Sequence, residues 1–296
     1  MTIAQNATIV KPTSLFSPEW LEQHLHDPAV RIIGVLRDEK EKIDLNIQIP
    51  GADVFYWKDL LWHQTNREFV DPEDLSGRLG TLGIVDTTQV VLYGDPVQFG
   101  FYARWVFRYL GHDHVGVLDG GLPAWHKERR PVGNVTPRFH AATTFHQQAR
   151  NKTIRIQRDE LLSRLHDAQL NILDVRSPEE FAGNRVSPPE SPDVGAERGG
   201  HIPGAVHLHF TDLLNSAGRF HEPQELRQRV LGRLQLDPAA ETVVYCRLSH
   251  RATLVFYVLT ELLGFSHVRV YDGSWTEWGS MVGAPVVKAP AEAIAA

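Results

Sequence analysis

A single cysteine, Cys246, is all the thiol that the 296-residue chain contains. An internal disulfide is excluded, and this usage fits a reducing compartment. Long apolar runs are missing too: nowhere do about 18 apolar residues follow one another, as a transmembrane helix requires. Residues 1–11 lack the charged start and apolar stretch of a secretory signal. A cytoplasmic protein with no membrane partner is the expectation. Excess charge is small, −6 formally, so nucleic acid is not indicated as a partner either. With 42% apolar and 22% charged residues the chain has an ordinary globular composition. Its length exceeds what one hydrophobic core comfortably serves, which predicts two domains or one large α/β unit.

What is present is a repeat. Ile49-Pro50-Gly51-Ala52 recurs as Ile202-Pro203-Gly204-Ala205, and Val117-Leu118-Asp119-Gly120-Gly121 as Val270-Tyr271-Asp272-Gly273-Ser274, both 153 positions on. Leu25-His26-Asp27 recurs as Leu165-His166-Asp167 after only 140. The second copy therefore carries an insertion, and the Pro- and Gly-rich run 183–200 reads as an irregular loop. Helical spacing is predicted at 17–26 and 158–166. Short runs rich in Val, Ile and Tyr at 32–36, 90–93, 115–118, 172–175, 243–245 and 268–271 predict buried parallel strands between helices. The expectation is two similar α/β domains, at 14–135 and 150–285, with a linker at 136–149. The Ala- and Pro-rich end after Val287 reads as a frayed tail.

Cys246 follows the strand ending at Tyr245. From Ala252 the pattern turns helical through Leu254, Val255, Val258, Leu259, Leu262 and Leu263 to Gly264, a residue suited to a helix end. That helix is apolar nearly all round and is predicted to be buried. A cysteine between a strand end and a helix start faces open backbone N–H groups and the positive end of the helix dipole. Arg247, Arg251 and His250 would add positive charge. A free cysteine is most often a small buried hydrophobe, but three ionisable neighbours make purely apolar burial costly. The loop reads as a cradle for an anionic sulfur or an incoming oxyanion.

The chain resembles the tandem-domain rhodanese (thiosulfate sulfurtransferase) family. The resemblance rests on the Cys-led loop, on Tyr271-Asp272-Gly273-Ser274-Trp275-Thr276-Glu277-Trp278, on Gly200-His201-Ile202-Pro203-Gly204-Ala205, and on Leu173-Asp174-Val175-Arg176-Ser177-Pro178-Glu179-Glu180-Phe181. It implies two rhodanese-like domains, each a mainly parallel sheet flanked by helices. The first would be inactive, lending structure and one wall of the substrate cleft, since Gly94-Asp95-Pro96 stands where the thiol should fall, with Asp95 a candidate helix cap. The second would be catalytic. The activity implied is sulfur transfer from thiosulfate to cyanide or a thiol or dithiol acceptor, through a persulfide on Cys246. Arg247, Leu248, Ser249, His250 and Arg251 would form the substrate-binding loop, and neither a metal nor an organic cofactor is implied.

Outside the loop, Asp174 is expected to hold loop amides or an arginine, and Arg176 to pair with Glu179 or reach the cleft. Trp275 and Trp278 are expected to pack beneath the loop, and His201 to fix the Pro203-Gly204 turn. His207 and His209 lack an acidic or thiol partner at metal-binding spacing. Rival readings are a 3-mercaptopyruvate sulfurtransferase, a persulfide carrier, and a Cys-based phosphatase. The phosphatase signature has one more residue between Cys and Arg than Cys246 and Arg251 allow.

Overall fold

The computed structural model describes residues 14–133, 141–146, 149–234 and 236–288. The stretch 1–11, much of the 136–149 linker and most of the Ala- and Pro-rich tail lie outside the described residues. The first copy forms strands β1 (Leu15–Phe16), β2 (Val30–Leu36), β3 (Asp53–Tyr56), β4 (Gln89–Asp95) and β5 (Val115–Leu118). The second forms β6 (Arg155–Ile156), β7 (Leu170–Asp174), β8 (Ala205–His207), β9 (Glu241–Tyr245) and β10 (Val268–Tyr271). All pairings among these ten strands are parallel, and the order β1-β5-β4-β2-β3 repeats as β6-β10-β9-β7-β8. Strands covered on both faces read as continuous apolar runs, which is why the central ones are visible in the sequence.

Helices α1 (Pro18–Gln23), α2 (Trp57–Leu61), α3 (Pro72–Thr81), α4 (Gln98–Tyr109) and α5 (Gly121–Lys127) flank the first sheet. Helices α6 (Arg158–Ser163), α7 (Pro178–Ala182), α8 (Pro223–Arg227), α9 (His250–Tyr257) and α10 (Ser274–Trp278) belong to the second. Both predicted opening helices end early, and for one reason. Asp27 accepts the Ala29 N–H at 2.8 Å and Asp167 accepts the Gln169 N–H at 3.0 Å, so a side-chain turn replaces the last helical turn. Asp95 is not a helix cap. It ends β4, and α4 starts after Val97 with no side-chain cap.

Each sheet has an outer core, around Trp125 in the first copy and around Trp275 and Trp278 in the second. A third core runs through both copies. In it α4 lies against α9, with Phe101 5.1 Å from Tyr257 and 5.2 Å from Phe220, ring centre to ring centre. Every residue of α9 is buried, as its all-round apolar pattern requires. Among the described residues no helix is long and apolar enough to cross a membrane. The insertion 183–200 falls between β7 and β8 and is irregular throughout.

Candidate active site

Strands β9 and β4 hold the same central place in their sheets, and ligands of open parallel sheets bind beyond the C-terminal strand ends. Cys246 stands there, 1% exposed, one residue past β9. Its N–H donates to Ser274 Oγ at 3.3 Å, and its carbonyl accepts the Trp275 N–H at 2.9 Å. Ser249 takes a left-handed φ of 69° and donates from Oγ to the Asp272 carbonyl at 2.6 Å. The hallmark run at 271–278 is thus the frame that holds the cysteine loop. The backbone amides of Arg247, Leu248 and Ser249 find no acceptor among the described residues, which leaves donors for an anion at the start of α9.

The cationic side chains around the loop are unequal. Arg251 forms a bidentate pair with Glu180, at 2.6 and 2.8 Å, with both side chains buried. Burial alone would push the guanidinium down, but Glu180 outweighs it and holds the cation charged. Arg247 donates to the Val194 carbonyl at 2.8 Å, and a Cβ on Gly195 would collide with its guanidinium. The insertion therefore closes over the cysteine loop.

His250 does not add positive charge, contrary to the expectation. Its ring sits among Trp57, Phe99 and Tyr102 of the first copy, at 4.5, 4.3 and 4.3 Å. Burial drives its pKa well below the ordinary value, and Arg67, Arg251, Arg247 and Lys58 push the same way. The imidazole is neutral.

Asp174 and Arg176 form a fully buried pair at 2.6 Å, and the Asp174 carboxylate also accepts the Arg176 N–H. Burial opposes ionisation of Asp174, and Arg176 more than offsets it, so the carboxyl lies below the usual range. Arg176 neither pairs with Glu179 nor reaches the cleft. It donates to the Gly200 carbonyl and lies 4.4 Å from the Trp275 ring. An arginine this buried needs a partner at hand, and the carboxylate two residues back is nearer than an exposed one on the next helix. Trp275 and Trp278 are wholly buried, and the Trp275 N–H holds the Cys246 carbonyl. His201 fixes α7 rather than its own turn: it bonds the Phe181 carbonyl at 2.8 Å and stacks on the Phe181 ring at 3.8 Å. His207 bonds the Arg176 carbonyl, and His209 pairs with Thr211.

Cys246 opens into a cavity of about 500 Å³ between the copies. Arg247, Leu248, His250 and Arg251 line it from the loop, and Pro188, Pro189 and Glu190 from the insertion. Arg37, Trp57, Gln98 and Phe99 close it from the first copy. A larger cavity, about 660 Å³, lies by the opposite ends of β9 and β10. Its Arg108 and Arg269 are paired with its own Glu261 and Glu241, so it offers an anion little.

The family resemblance implies a first-copy wall, but no local pattern marks the residues that form it, Arg37, Trp57, Gln98 and Phe99. Sequence reasoning missed Glu180, although Ser177-x-x-Glu180 is a legible capping box. In the first copy Leu92 pairs with Val117 as Val244 pairs with Val270, which sets Gly94 opposite Cys246. A side chain at Gly94 would strike the backbone of Gly100 and Pro96, so that loop has no room for a nucleophile.

Two parallel sheets of one topology, with a lone cysteine at the centre of the second, define a tandem α/β protein. The rhodanese-like domain family matches residues 17–128 and again 157–281, and the chain belongs to this family of sulfurtransferases. It is 37% identical over 281 residues to the sulfur carrier protein TtuD of Thermus thermophilus, covering 94% of this chain and 97% of that one. It is 38% identical over 273 residues to a Mycobacterium bovis protein named "Putative thiosulfate sulfurtransferase 1", covering 92% and 96%. The crystal structure of SseA from Escherichia coli, a 3-mercaptopyruvate sulfotransferase, shares the fold. Its TM-score is 0.69 at 24% identity, covering 89% of this chain and 99% of that one.

Proposed function

We propose that the chain moves sulfane sulfur from thiosulfate to cyanide or a thiol through a persulfide on Cys246. The Cys246 thiolate attacks the outer sulfur of thiosulfate, the S–S bond of the donor breaks, and sulfite leaves with the electron pair. The acceptor then takes the outer sulfur and returns Cys246 as thiolate, a double displacement. The observation that carries this reading is Cys246 at the floor of the cavity, ringed by open loop amides and by Arg247. Arg247, Leu248, Ser249, His250 and Arg251 form or brace the binding loop in this reading. Asp174 and Arg176 support it from below. Residues 14–135 take no sulfur, 136–149 serve as linker, and 150–285 carry the chemistry.

The test is intact mass. Thiosulfate without acceptor should add one sulfur atom, cyanide should remove it, and Cys246→Ser should show neither change nor any turnover. Turnover without the mass gain would mean direct transfer in a ternary complex.

A second reading, sulfur carriage with slow turnover, is favoured by the Arg251–Glu180 pair. Glu180 leaves less positive charge for a dianion than the loop sequence suggests, and a relative bears the name of a sulfur carrier. Sulfite release from thiosulfate, measured beside pyruvate release from 3-mercaptopyruvate, separates these donors. A low rate with both favours carriage.

A further inference from the structure

The three arginines of the cavity differ in what they are free to do. Arg251 is held by Glu180, and Arg247 is bonded to Val194. Arg37, from the first copy, is ion-paired with Asp38 at 3.4 Å, and both side chains are 57% exposed. A surface pair of that kind is weak and readily exchanged for another anion. The cavity's carboxylates, Glu179 and Glu190, are also exposed, but both stand on the second copy.

Depth separates the cationic groups further. Cys246 is 1% exposed, at the floor, whereas Arg37 stands at the rim. Thiosulfate is a small ion whose outer sulfur must touch Cys246, so its sulfonate stays near the floor. The cavity, at about 500 Å³, is far larger, since one water occupies about 30 Å³. Apolar Trp57, Phe99 and Phe210 line it as well. A molecule that touches both Cys246 and Arg37 needs a sulfur at one end, an anion at the other and an apolar middle.

We propose that Arg37 is a specificity-determining residue for the acceptor, and that the acceptor is an organic thiol with a carboxylate remote from its sulfur. The proposal rests on the Cys246 persulfide reading above. In the step, the acceptor thiolate attacks the outer sulfur of the persulfide. A new S–S bond forms on the acceptor, the bond to Cys246 Sγ breaks, and Cys246 leaves as thiolate.

The test uses three thiols with the same six-carbon spacing and near-equal thiol reactivity: 6-mercaptohexanoate, 6-mercaptohexanol and 6-aminohexanethiol. Sulfur is loaded on Cys246 with thiosulfate, and its discharge to each thiol is followed by intact mass over time. The wild-type protein should prefer the carboxylate over the alcohol by roughly five- to tenfold in kcat/KM, the scale of one half-exposed charge-assisted bond. Arg37→Ala should bring that ratio to about one. Arg37→Lys should keep most of it, and Arg37→Glu should turn the preference to the ammonium thiol. Ratios equal across all four proteins overturn the proposal. If thiosulfate fails to load Cys246, the donor reading falls, and inorganic polysulfide loads it for the same comparison. A Cys246 that takes sulfur from neither overturns both.

Discussion

Glu180 accepts two hydrogen bonds from Arg251 and one from the Ser177 N–H, all inside the protein. That arrangement gives Arg251→Ala a different expected outcome from loss of a donor ligand alone. Removing one partner of a buried pair leaves the other charge uncompensated, which costs about 3–5 kcal/mol. Urea denaturation should show that loss, and Arg251→Leu with Glu180→Gln should recover much of it, since no buried charge then remains. An unchanged urea midpoint with thiosulfate use alone impaired would make Arg251 a donor ligand instead. The cysteine and its loop are legible in the sequence because strand end, nucleophile, cations and helix start are contiguous. Arg251's partner is not legible, because it lies 71 positions away. His250 misleads for the same reason: its charge state is set by Trp57, Phe99 and Tyr102, which only the fold brings near.

Among the elements, α7 matters most to the site for its size. Its Ser177 hydroxyl accepts the Glu180 N–H while the Glu180 carboxylate accepts the Ser177 N–H, a reciprocal cap. Ser177→Ala should therefore cost about 1 kcal/mol in urea unfolding. A cost near zero would mean that Arg251 alone orders Glu180. The central strands were legible from their Val and Ile runs, being covered on both faces. Strands β1 and β6 were not, because two residues carry no period, and β3 and β8 are only half covered. Asp95 failed as a cap because β4 runs on through it, its carbonyl accepting the Arg37 N–H. The repeat placed the insertion correctly between β7 and β8, yet nothing in its composition says that it closes over Arg247.

For the whole molecule the question is whether two copies of one fold behave as two bodies. Domains joined by a small polar interface are expected to move and unfold separately. This interface is neither small in its aromatics nor left to the linker. Phe101 of α4 packs on Phe220 and Tyr257, Arg104 and Arg108 both reach Glu261, and Ser14 bonds the Tyr257 hydroxyl at 2.9 Å. On the far side Arg155 bridges Glu68 and Asp272, and Asp272 in turn accepts the Ser249 hydroxyl. His250 fills the first copy's aromatic box, so the cysteine loop itself is part of the junction. The chain should unfold in one transition, with far-ultraviolet dichroism and tryptophan fluorescence tracing the same urea curve. Tryptophans in both copies, Trp57 and Trp105 in one and Trp275 and Trp278 in the other, make the fluorescence sensitive to either half. Phe101→Ala removes a ring that is 2% exposed, at a cost of about 3–5 kcal/mol. Because that ring faces the second copy, its loss should weaken the junction as well as the first core and pull the two probes apart. Two transitions in the unaltered chain would mean that the copies are held by the linker alone. The first copy's hold on the cysteine loop, through the Glu68–Arg155 pair and the rings around His250, would then be too weak to couple the two copies.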